Sequence, residues 1–328
     1  SRILSIEDWR PGAGLEALRA RAAMLADLRR YFAVAGVLEG VTPRAGSSAG
    51  TDPALEPLWV RCTGPGSPQG AKVYLQTSPD FGMKRLLAAG SGPIYQICKA
   101  FRDGEAGRLH NPEFSLLEWY RPGFDLVQLM DELAGVVRMA LLQPDLESVR
   151  ISYGDLFASM LGVDVFASSV EQLRAVAVRH HVLGADGLDL DLDGWLDLLM
   201  SHLIQPKLGH DGLCFVSDYP VSQAALARVN PDGRSAARME LFYQGVELAN
   251  GFHELLDAGE QARRFEAENC VRRSRGQRPI KVDRLLLGAM QHGLPDCSGV
   301  AVGLDRLLML RLGENEIDRV LSFSLQRC

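Results

Sequence analysis

Residues 99–121, KAFRDGEAGRLHNPEFSLLEWYR, constrain the fold of this chain more than any other segment. Their pattern predicts a strand that ends at Arg102, a polar loop and a second strand, in which successive side chains point to opposite faces. One face of the second strand then carries Phe114, Leu116, Glu118 and Tyr120. The other face, with Leu117 and Trp119, is typical of a protein core. An aromatic ring beside a carboxylate suits a nucleotide held over an amine-bearing substrate, although a hairpin with a polar solvent side has the same pattern.

The composition is that of a globular protein and gives no sign of a membrane or nucleic-acid partner. The chain has 328 residues, 47% hydrophobic and 23% charged, with a net charge of −6. No stretch approaches the roughly 20 apolar residues that span a bilayer, and the N-terminus lacks a secretory segment. The six cysteines form no C-x-x-C pair, which disfavours a zinc site. We therefore expect a cytoplasmic protein with reduced thiols.

The order of predicted elements favours one large domain over residues 1–328. Residues 15–35 have the apolar spacing of an amphipathic helix. A largely helical stretch separates two β-rich regions, and we interpret it as an insertion at about 140–235, on the rim of a sheet. The arginine-rich segment 263–281 is typical of a solvated helix face and is also our candidate surface for docking an acidic protein.

Residues 238–255, RMELFYQGVELANGFHEL, are expected to form a hairpin around a Gln244-Gly245 turn. In that register Glu240 faces Ala249 and lies diagonal to Glu247, with β-carbons roughly 7–8 Å apart. Two carboxylates at this distance repel each other unless a cation lies between them. Mg²⁺ bound to a triphosphate fits, because its sites use one or two carboxylates with phosphate oxygens. A solvent-exposed acidic face is the alternative.

Glu254 follows Glu247 at an odd offset, which puts the two on opposite faces of a regular strand. We predict a β-bulge at Asn250-Gly251, because glycine tolerates positive φ. Such a bulge would return Glu254 to the cleft that holds Glu247.

The C-terminal segment GVAVGLDR, residues 299–306, places small residues where a ligand must approach the backbone closely. Arg306 then begins an apolar helix, whose N-terminus favours anions. Because a guanidinium group binds phosphate through paired hydrogen bonds, Arg102 and Arg306 are candidates for holding the two ends of a triphosphate.

Three separated blocks resemble motifs 1, 2 and 3 of the class II aminoacyl-tRNA synthetases: a helix and strand that end in Pro43, FRDGEAGRLHNPEF, and GVAVGLDRL. RLHNPEFSLLEWY and GVELANGFHEL are similar to the lysyl-tRNA synthetase branch. Fewer than twenty residues precede the first helix, so we expect no anticodon-binding barrel. LEWYRPGFD and TSPDFGMKRLLAAG resemble the free-standing paralogues that attach a lysine-type residue to elongation factor P.

The resemblance implies an α/β (α+β) fold, a six- or seven-stranded antiparallel sheet flanked by helices, and a homodimer formed through motif 1. It implies an ATP-dependent ligase that uses Mg²⁺, releases AMP and forms an amide. The substrate would be lysine or (R)-β-lysine and the acceptor a lysine ε-amine of elongation factor P, without stable tRNA binding. Three alternatives remain: an enzyme that charges tRNA or another small acceptor, an adenylating ligase with a small-molecule acceptor, and a catalytically inactive binding module.

The resemblance also implies a role for each matching residue. Arg102, Arg306 and Glu247 would act in catalysis, and Glu240 and Glu247 would bind Mg²⁺. The residues implied to hold ATP are Arg102, Asp103, Glu105, His110, Asn111, Phe114, Glu247, Leu248, Gly303 and Arg306. Adenine would lie between Phe114 and Arg306. The residues implied to bind the amino acid are Ser78, Pro79, Asp80, Glu118, Tyr120, Asn250, Phe252, Glu254 and Ala301. Among these, Glu254 would pair with the side-chain ammonium.

Three positions depart from the family pattern. Gly104 stands where motif 2 has a glutamate, with Glu105 next in the chain, so we expect the adenine contact to move to Glu105 or to weaken. Asp80 replaces the glutamate of the TSPE pattern, and Ala301 replaces a glycine. We expect these last two changes to favour (R)-β-lysine over α-lysine.

Overall fold

The computed structural model describes residues 9–65 and 70–328. Its helices are α1 (Leu15–Val34), α2 (Asp80–Ala88), α3 (Leu126–Leu141), α4 (Tyr153–Leu161), α5 (Val170–Arg179), α6 (Leu192–Leu199), α7 (Ala258–Ser274), α8 (Arg284–Gly293) and α9 (Leu304–Leu312). Its strands are β1 (Leu38–Glu39), β2 (Ala45–Gly46), β3 (Trp59–Cys62), β4 (Ala71–Leu75), β5 (Ile94–Phe101), β6 (Glu113–Pro122), β7 (Ser148–Ser152), β8 (Leu213–Pro220), β9 (Ser235–Tyr243), β10 (Val246–His253) and β11 (Cys297–Gly303).

The central sheet has eight strands in the order β1-β5-β6-β11-β10-β9-β8-β7. Its six inner strands pair antiparallel, whereas the edge strands β1 and β7 pair parallel with β5 and β8. The expected antiparallel sheet flanked by helices is confirmed, and the edge strands raise the number of strands above the expected six or seven. Because β1 has two residues and β7 has five, neither gives a long periodic signal in the sequence. Strands β2, β4 and β3 form a small separate sheet.

One face of the central sheet is covered by helices α1, α3 and α9. Leu117 and Trp119 of β6 are fully buried in this layer, as strand alternation predicts. Phe32 of α1 stacks on Tyr95 of β5, with ring centroids 4.4 Å apart. Each fully buried large apolar side chain contributes about 1.5–3 kcal/mol, so this layer anchors the sheet and leaves its opposite face for a site.

Helices α4, α5 and α6 form a second apolar cluster beside the β7 edge of the sheet. Phe157 of α4 and Trp195 of α6 share this cluster with Val216 of β8 and Phe242 of β9. The insertion that we predicted at about 140–235 therefore also takes in β7 and β8, which are strands of the central sheet. Among the helices of the described residues, none combines the length and apolarity needed to cross a membrane.

Candidate active site

Two adjoining cavities open on the face of the sheet opposite α1, α3 and α9. The larger has a volume of about 420 Å³ and the smaller about 180 Å³. Their linings share Asp52, Leu55, Arg102, Arg238, Asn250 and Ala301. One ligand in each cavity would therefore meet at this junction, beside two guanidinium groups.

Most residues that the sequence predicts for ATP or Mg²⁺ line the larger cavity. They are Arg102, Glu105, His110, Asn111, Phe114, Glu240, Glu247, Leu248, Gly303 and Arg306. Most residues predicted for the amino acid line the smaller cavity, namely Ser78, Asp80, Glu118, Tyr120, Asn250, Phe252, Glu254 and Ala301. Asp103 and Pro79 line neither cavity: the Asp103 N–H donates to the Glu56 carbonyl (2.7 Å), and Pro79 precedes the first residue of α2.

The hairpin of β9 and β10 has the predicted turn but a different bulge. The Gln244-Gly245 turn has φ angles of +51° and +73°, as a two-residue hairpin turn requires. Beyond it the register shifts between Glu247 and Ala249, so the bulge predicted at Asn250-Gly251 is wrong in position. Leu248 and Ala249 both pack into the core, and a bulge lets two consecutive side chains face the same side.

The observed bulge still brings Glu254 into the cleft, as we predicted for a bulge at Asn250-Gly251. Phe252 and Glu254 face the cleft that also holds Glu247. The bulge also changes the cross-strand neighbour of Glu240, which is Asn250 and not the expected Ala249.

Arg102 lies at the junction with part of its hydrogen-bonding capacity unused. Its guanidinium carbon is 4.8 Å from the Phe114 ring centroid, and its Nη1 is 3.6 Å from Glu105 Oε1. Within the described residues its buried Nε has no hydrogen-bond partner. Because an unsatisfied buried donor costs about 1–3 kcal/mol, this group favours an anion at the junction. Arg102 covers a face of Phe114, so adenine expected between Phe114 and Arg306 would displace Arg102 or take the opposite face.

Arg306, in the first turn of α9, is held by the backbone and by His110. Its Nη1 donates to the Glu247 carbonyl (2.9 Å), and its Nη2 donates to His110 Nε2 (2.7 Å). Burial and the Arg306 charge lower the pKa of His110, so this ring is neutral at pH 7 and accepts the bond. Arg306 Nη1 also lies 3.6 Å from Glu247 Oε2, so an incoming phosphate would compete with a carboxylate.

Asn111 lines the larger cavity, but both polar atoms of its side chain are engaged with the backbone. Its Oδ1 accepts from the Leu325 N–H (3.1 Å), and its Nδ2 donates to the Glu113 carbonyl (2.6 Å). These bonds connect the C-terminal segment to the loop before β6. A direct hydrogen bond from Asn111 to a nucleotide would require one of them to be exchanged.

Glu240 and Glu247 have suitable chemistry for a divalent cation. Glu240 accepts from Arg238 Nη2 (2.6 Å) and from the Tyr219 hydroxyl (2.7 Å). Burial and the nearby charge of Glu247 raise the pKa of Glu240, although Arg238 opposes this shift. In residues 9–65 and 70–328 no cluster of three or more His, Cys, Asp or Glu side chains could hold a metal. Mg²⁺ at this pair would thus take further ligands from phosphate oxygens and water, as it commonly does.

The smaller cavity contains a carboxylate without a basic partner. Glu118 is 2% exposed, and its oxygens accept from the Ser78 hydroxyl (2.6 Å) and the Tyr120 hydroxyl (2.7 Å). Glu118 forms no ion pair within the described part of the chain. Burial, reinforced by the Asp80 charge, raises the pKa of Glu118 to about 8. A cationic group of a ligand would stabilise its ionised form.

Lys84, which sequence reasoning missed, is the partner of Glu254. Lys84 Nζ lies 2.7 Å from Glu254 Oε2, and both side chains are almost fully buried. Burial alone would lower the pKa of Lys84, but the carboxylates of Glu254 and Asp80 raise it above its usual value. The predicted pairing of Glu254 with a substrate ammonium therefore faces an internal competitor. A lysine on the apolar face of α2, one turn after Asp80, was the available signal.

The two cavity-lining glycines of β11 differ in how much space surrounds them. A Cβ added to Gly299 would lie 2.3 Å from Tyr120 Cε1 and 2.9 Å from Glu254 Oε1. The nearest heavy atom to a Cβ at Gly303 would be Arg306 Cδ, at 3.8 Å. Gly299 is therefore needed for the packing of Tyr120.

The geometry agrees with a comparison of the sequence with known families. Residues 6–327 match the family model described as tRNA synthetases class II (D, K and N). Enzymes of this family activate amino acids with ATP and Mg²⁺ and ligate them to an acceptor. Because the match covers almost the whole sequence, the chain belongs to the class II tRNA synthetase family (D, K and N).

Proposed function

We propose that this protein activates lysine or (R)-β-lysine with ATP and transfers it to a lysine of elongation factor P. In the first step a carboxylate oxygen of the amino acid attacks the α-phosphorus of ATP, giving an aminoacyl-adenylate and pyrophosphate. In the second step the ε-amine of the acceptor lysine attacks the carbonyl carbon, forms an amide and releases AMP and a proton. Positioning and charge neutralisation supply the catalysis, without a covalent enzyme nucleophile.

The buried acidity of the smaller cavity is the observation that carries this proposal. The family includes enzymes for D, K and N. An aspartate side chain would add another acidic group to a cavity that already holds Asp80, Glu118 and Glu254, and an asparagine side chain brings no cation. A lysine-type ammonium supplies the positive partner that a buried carboxylate requires.

The residues at the junction have roles that follow from their positions. Arg102 would bind the α-phosphate, because it borders both cavities. Its charge would offset the negative charge that grows on the phosphate oxygens during attack. Arg306 would hold phosphate oxygens farther along the larger cavity. Glu240 and Glu247 would hold Mg²⁺, which neutralises phosphate charge when bound.

The acceptor is proposed on the resemblance of LEWYRPGFD and TSPDFGMKRLLAAG to the elongation factor P ligases. Asp80 and Ala301, the two substituted positions, both line the smaller cavity. Their positions support a ligand whose amine is displaced from that of α-lysine, as in (R)-β-lysine.

A homodimer is also part of the proposal. Val34, Leu38 and Val41 are 85%, 57% and 87% exposed, and they surround the edge strand β1. Exposed apolar side chains that cluster in this way mark interaction surfaces. They support the twofold contact expected of motif 1, which sedimentation would test.

The decisive experiment is ATP–pyrophosphate exchange with aspartate, asparagine, α-lysine, (R)-β-lysine and (S)-β-lysine, followed by transfer to elongation factor P. We expect exchange with the lysine-type substrates, fastest with (R)-β-lysine, and a mass increase of elongation factor P that is lost when its acceptor lysine is replaced by arginine. Exchange with aspartate or asparagine alone would contradict the proposal of a lysine-type substrate. Charging of tRNA in place of elongation factor P would overturn the acceptor.

A further inference from the structure

Helix α7 contributes a further carboxylate to the smaller cavity, at a position that the family motifs do not include. Glu268 lines this cavity together with Asp80, Glu118 and Glu254. The Thr51 hydroxyl donates to Glu268 Oε2, and Thr51 is itself 1% exposed. Glu268 is therefore held in a fixed position by a buried hydrogen bond.

The positive groups nearest to Glu268 are engaged elsewhere. Arg264 contacts Glu260 and the carbonyls of Ala225 and Ala227. Arg272 contacts Glu56 and the carbonyls of Asp52, Leu55 and Arg278. In the described residues Glu268 forms no ion pair, and burial raises its pKa to about 7.

The cavity holds a second unsatisfied group that also points to a cationic ligand. Glu254 Oε1 is buried and has no hydrogen-bond partner among residues 9–65 and 70–328. Lys84 pairs with the other oxygen of Glu254, and the two arginines of the lining, Arg102 and Arg238, lie beside Glu105 and Glu240. With Asp52 included, five acidic side chains line this cavity against Arg102, Arg238 and the neighbouring Lys84, so the acidic groups exceed the cations by more than a single ammonium would offset.

The two uncompensated carboxylates occupy different ends of the cavity. The charged side chains that act on Glu118 are Asp80 and Lys84, whereas those that act on Glu268 are Asp52, Arg264 and Arg272. Glu268 is bonded to Thr51, and the next residue, Asp52, lines both cavities. Glu268 is therefore on the side of the junction, where the reacting carboxyl group of the ligand must lie.

We propose that Glu268, positioned by Thr51, binds the amino group of the substrate that is closer to its carboxyl group, while Glu118 binds the distant one. The ligand class is then an amino acid with two amino groups. This inference rests on the proposed function and adds Glu268 as a residue that distinguishes substrates by the position of the amino group closer to the carboxyl group.

Calorimetry of the full chain with four ligands tests the assignment. α-Lysine and (R)-β-lysine carry both amino groups, 6-aminohexanoate lacks the proximal one, and norleucine lacks the distant one. We expect Glu268→Gln, which keeps an acceptor for Thr51, to weaken both lysines roughly 10- to 100-fold, the range for a hydrogen bond to a charged group. The same variant should leave 6-aminohexanoate affinity unchanged. This ligand lacks the proximal amino group, so it has no interaction with Glu268 that the substitution could remove.

Glu266→Gln is the matched control, because Glu266 lies on the same helix, pairs with Arg273 at the surface and lines neither cavity. Its affinities should equal those of the unaltered protein. If Glu268→Gln weakened 6-aminohexanoate as much as lysine, or weakened neither, the inference would be overturned and the proposed function would stand. An unaltered protein that bound neither lysine isomer would overturn the proposed function itself.

Discussion

The two cavities differ in how their charged groups are compensated. In the larger cavity Arg306 and Glu240 already have partners within the protein, and an ATP molecule must compete for them. In the smaller cavity Glu118 is buried without a basic partner. Arg306 and Glu240 of the larger cavity are thus paired within the protein, whereas the smaller cavity has one buried lysine, paired with Glu254, and leaves Glu118 without a cation.

Replacing that internal lysine should have the largest effect on stability. Lys84→Met leaves Glu254 and Asp80 buried without a cation, so we expect the free energy of unfolding in urea to fall by about 3–5 kcal/mol. Lys99→Met is the control, because Lys99 is exposed and its 3.6 Å contact with Glu113 is a surface pair, worth about 0–1 kcal/mol. The double variant with Glu254→Gln should recover part of the loss. Equal losses in the two single variants would show that the buried pair does not hold the cavity.

Replacing Arg102, at the junction of the two cavities, should have the opposite effect: activity should be lost and the fold retained. Arg102→Ala removes the cation nearest to the expected α-phosphate, so we expect exchange kcat to fall about 10²–10³-fold. Its effect on unfolding should be small, because Arg102 makes one distant ion contact, at 3.6 Å. Arg61→Ala, on β3 and outside both cavities, serves as the control. Exchange that survived Arg102→Ala unchanged would contradict the site assignment.

Local sequence patterns predicted the side-chain faces of β6 and the turn between β9 and β10, because strand alternation and turn geometry depend on near neighbours. The faces of Glu118 and Trp119 and the Gln244-Gly245 turn follow from such patterns. The bulge at Leu248 was missed, although two consecutive apolar residues in an alternating strand were a usable signal.

Features of the smaller cavity were harder to predict, because they join segments far apart in the chain. Lys84 is buried against Glu254, and Glu268 is held by Thr51. Neither contact has a period or a motif in the sequence. The parallel edge strands β1 and β7 are likewise set by long-range pairing.

A methyl group added to a glycine of β11 should be destabilising in the smaller cavity and tolerated in the larger one. Gly299→Ala places a Cβ within van der Waals overlap of Tyr120, and we expect overpacking to lower the free energy of unfolding by about 1–3 kcal/mol. Displacement of Tyr120 would also remove its hydrogen bond to Glu118 and weaken lysine binding. Gly303→Ala, on the same strand but with only ordinary van der Waals contacts around its Cβ, should change the unfolding free energy much less. Similar unfolding curves for the two variants would contradict this packing argument.

The smallest expected effect is a difference in pH dependence between the two ligands. The raised pKa of Glu118, about 8, means that most of this carboxyl group is protonated at pH 7 without a ligand. A ligand ammonium binds the ionised form, and the ammonium itself stays protonated to about pH 10. Lysine affinity should therefore rise about fivefold between pH 7 and pH 8, as the ionised fraction rises from about 9% to 50%.

Asp80, Glu254 and Glu268 also line this cavity, and burial raises their pKa values, so their titration acts in the same direction. Glu118→Gln should bind lysine more weakly and with a shallower pH dependence. ATP affinity should be nearly constant over the same range, because the lowered pKa of His110 keeps that ring neutral. Calorimetry of both ligands at pH 7 and pH 8 measures the difference. A lysine affinity that did not rise, with Glu118 intact, would show that Glu118 is already ionised and that the smaller cavity does not lack a positive charge.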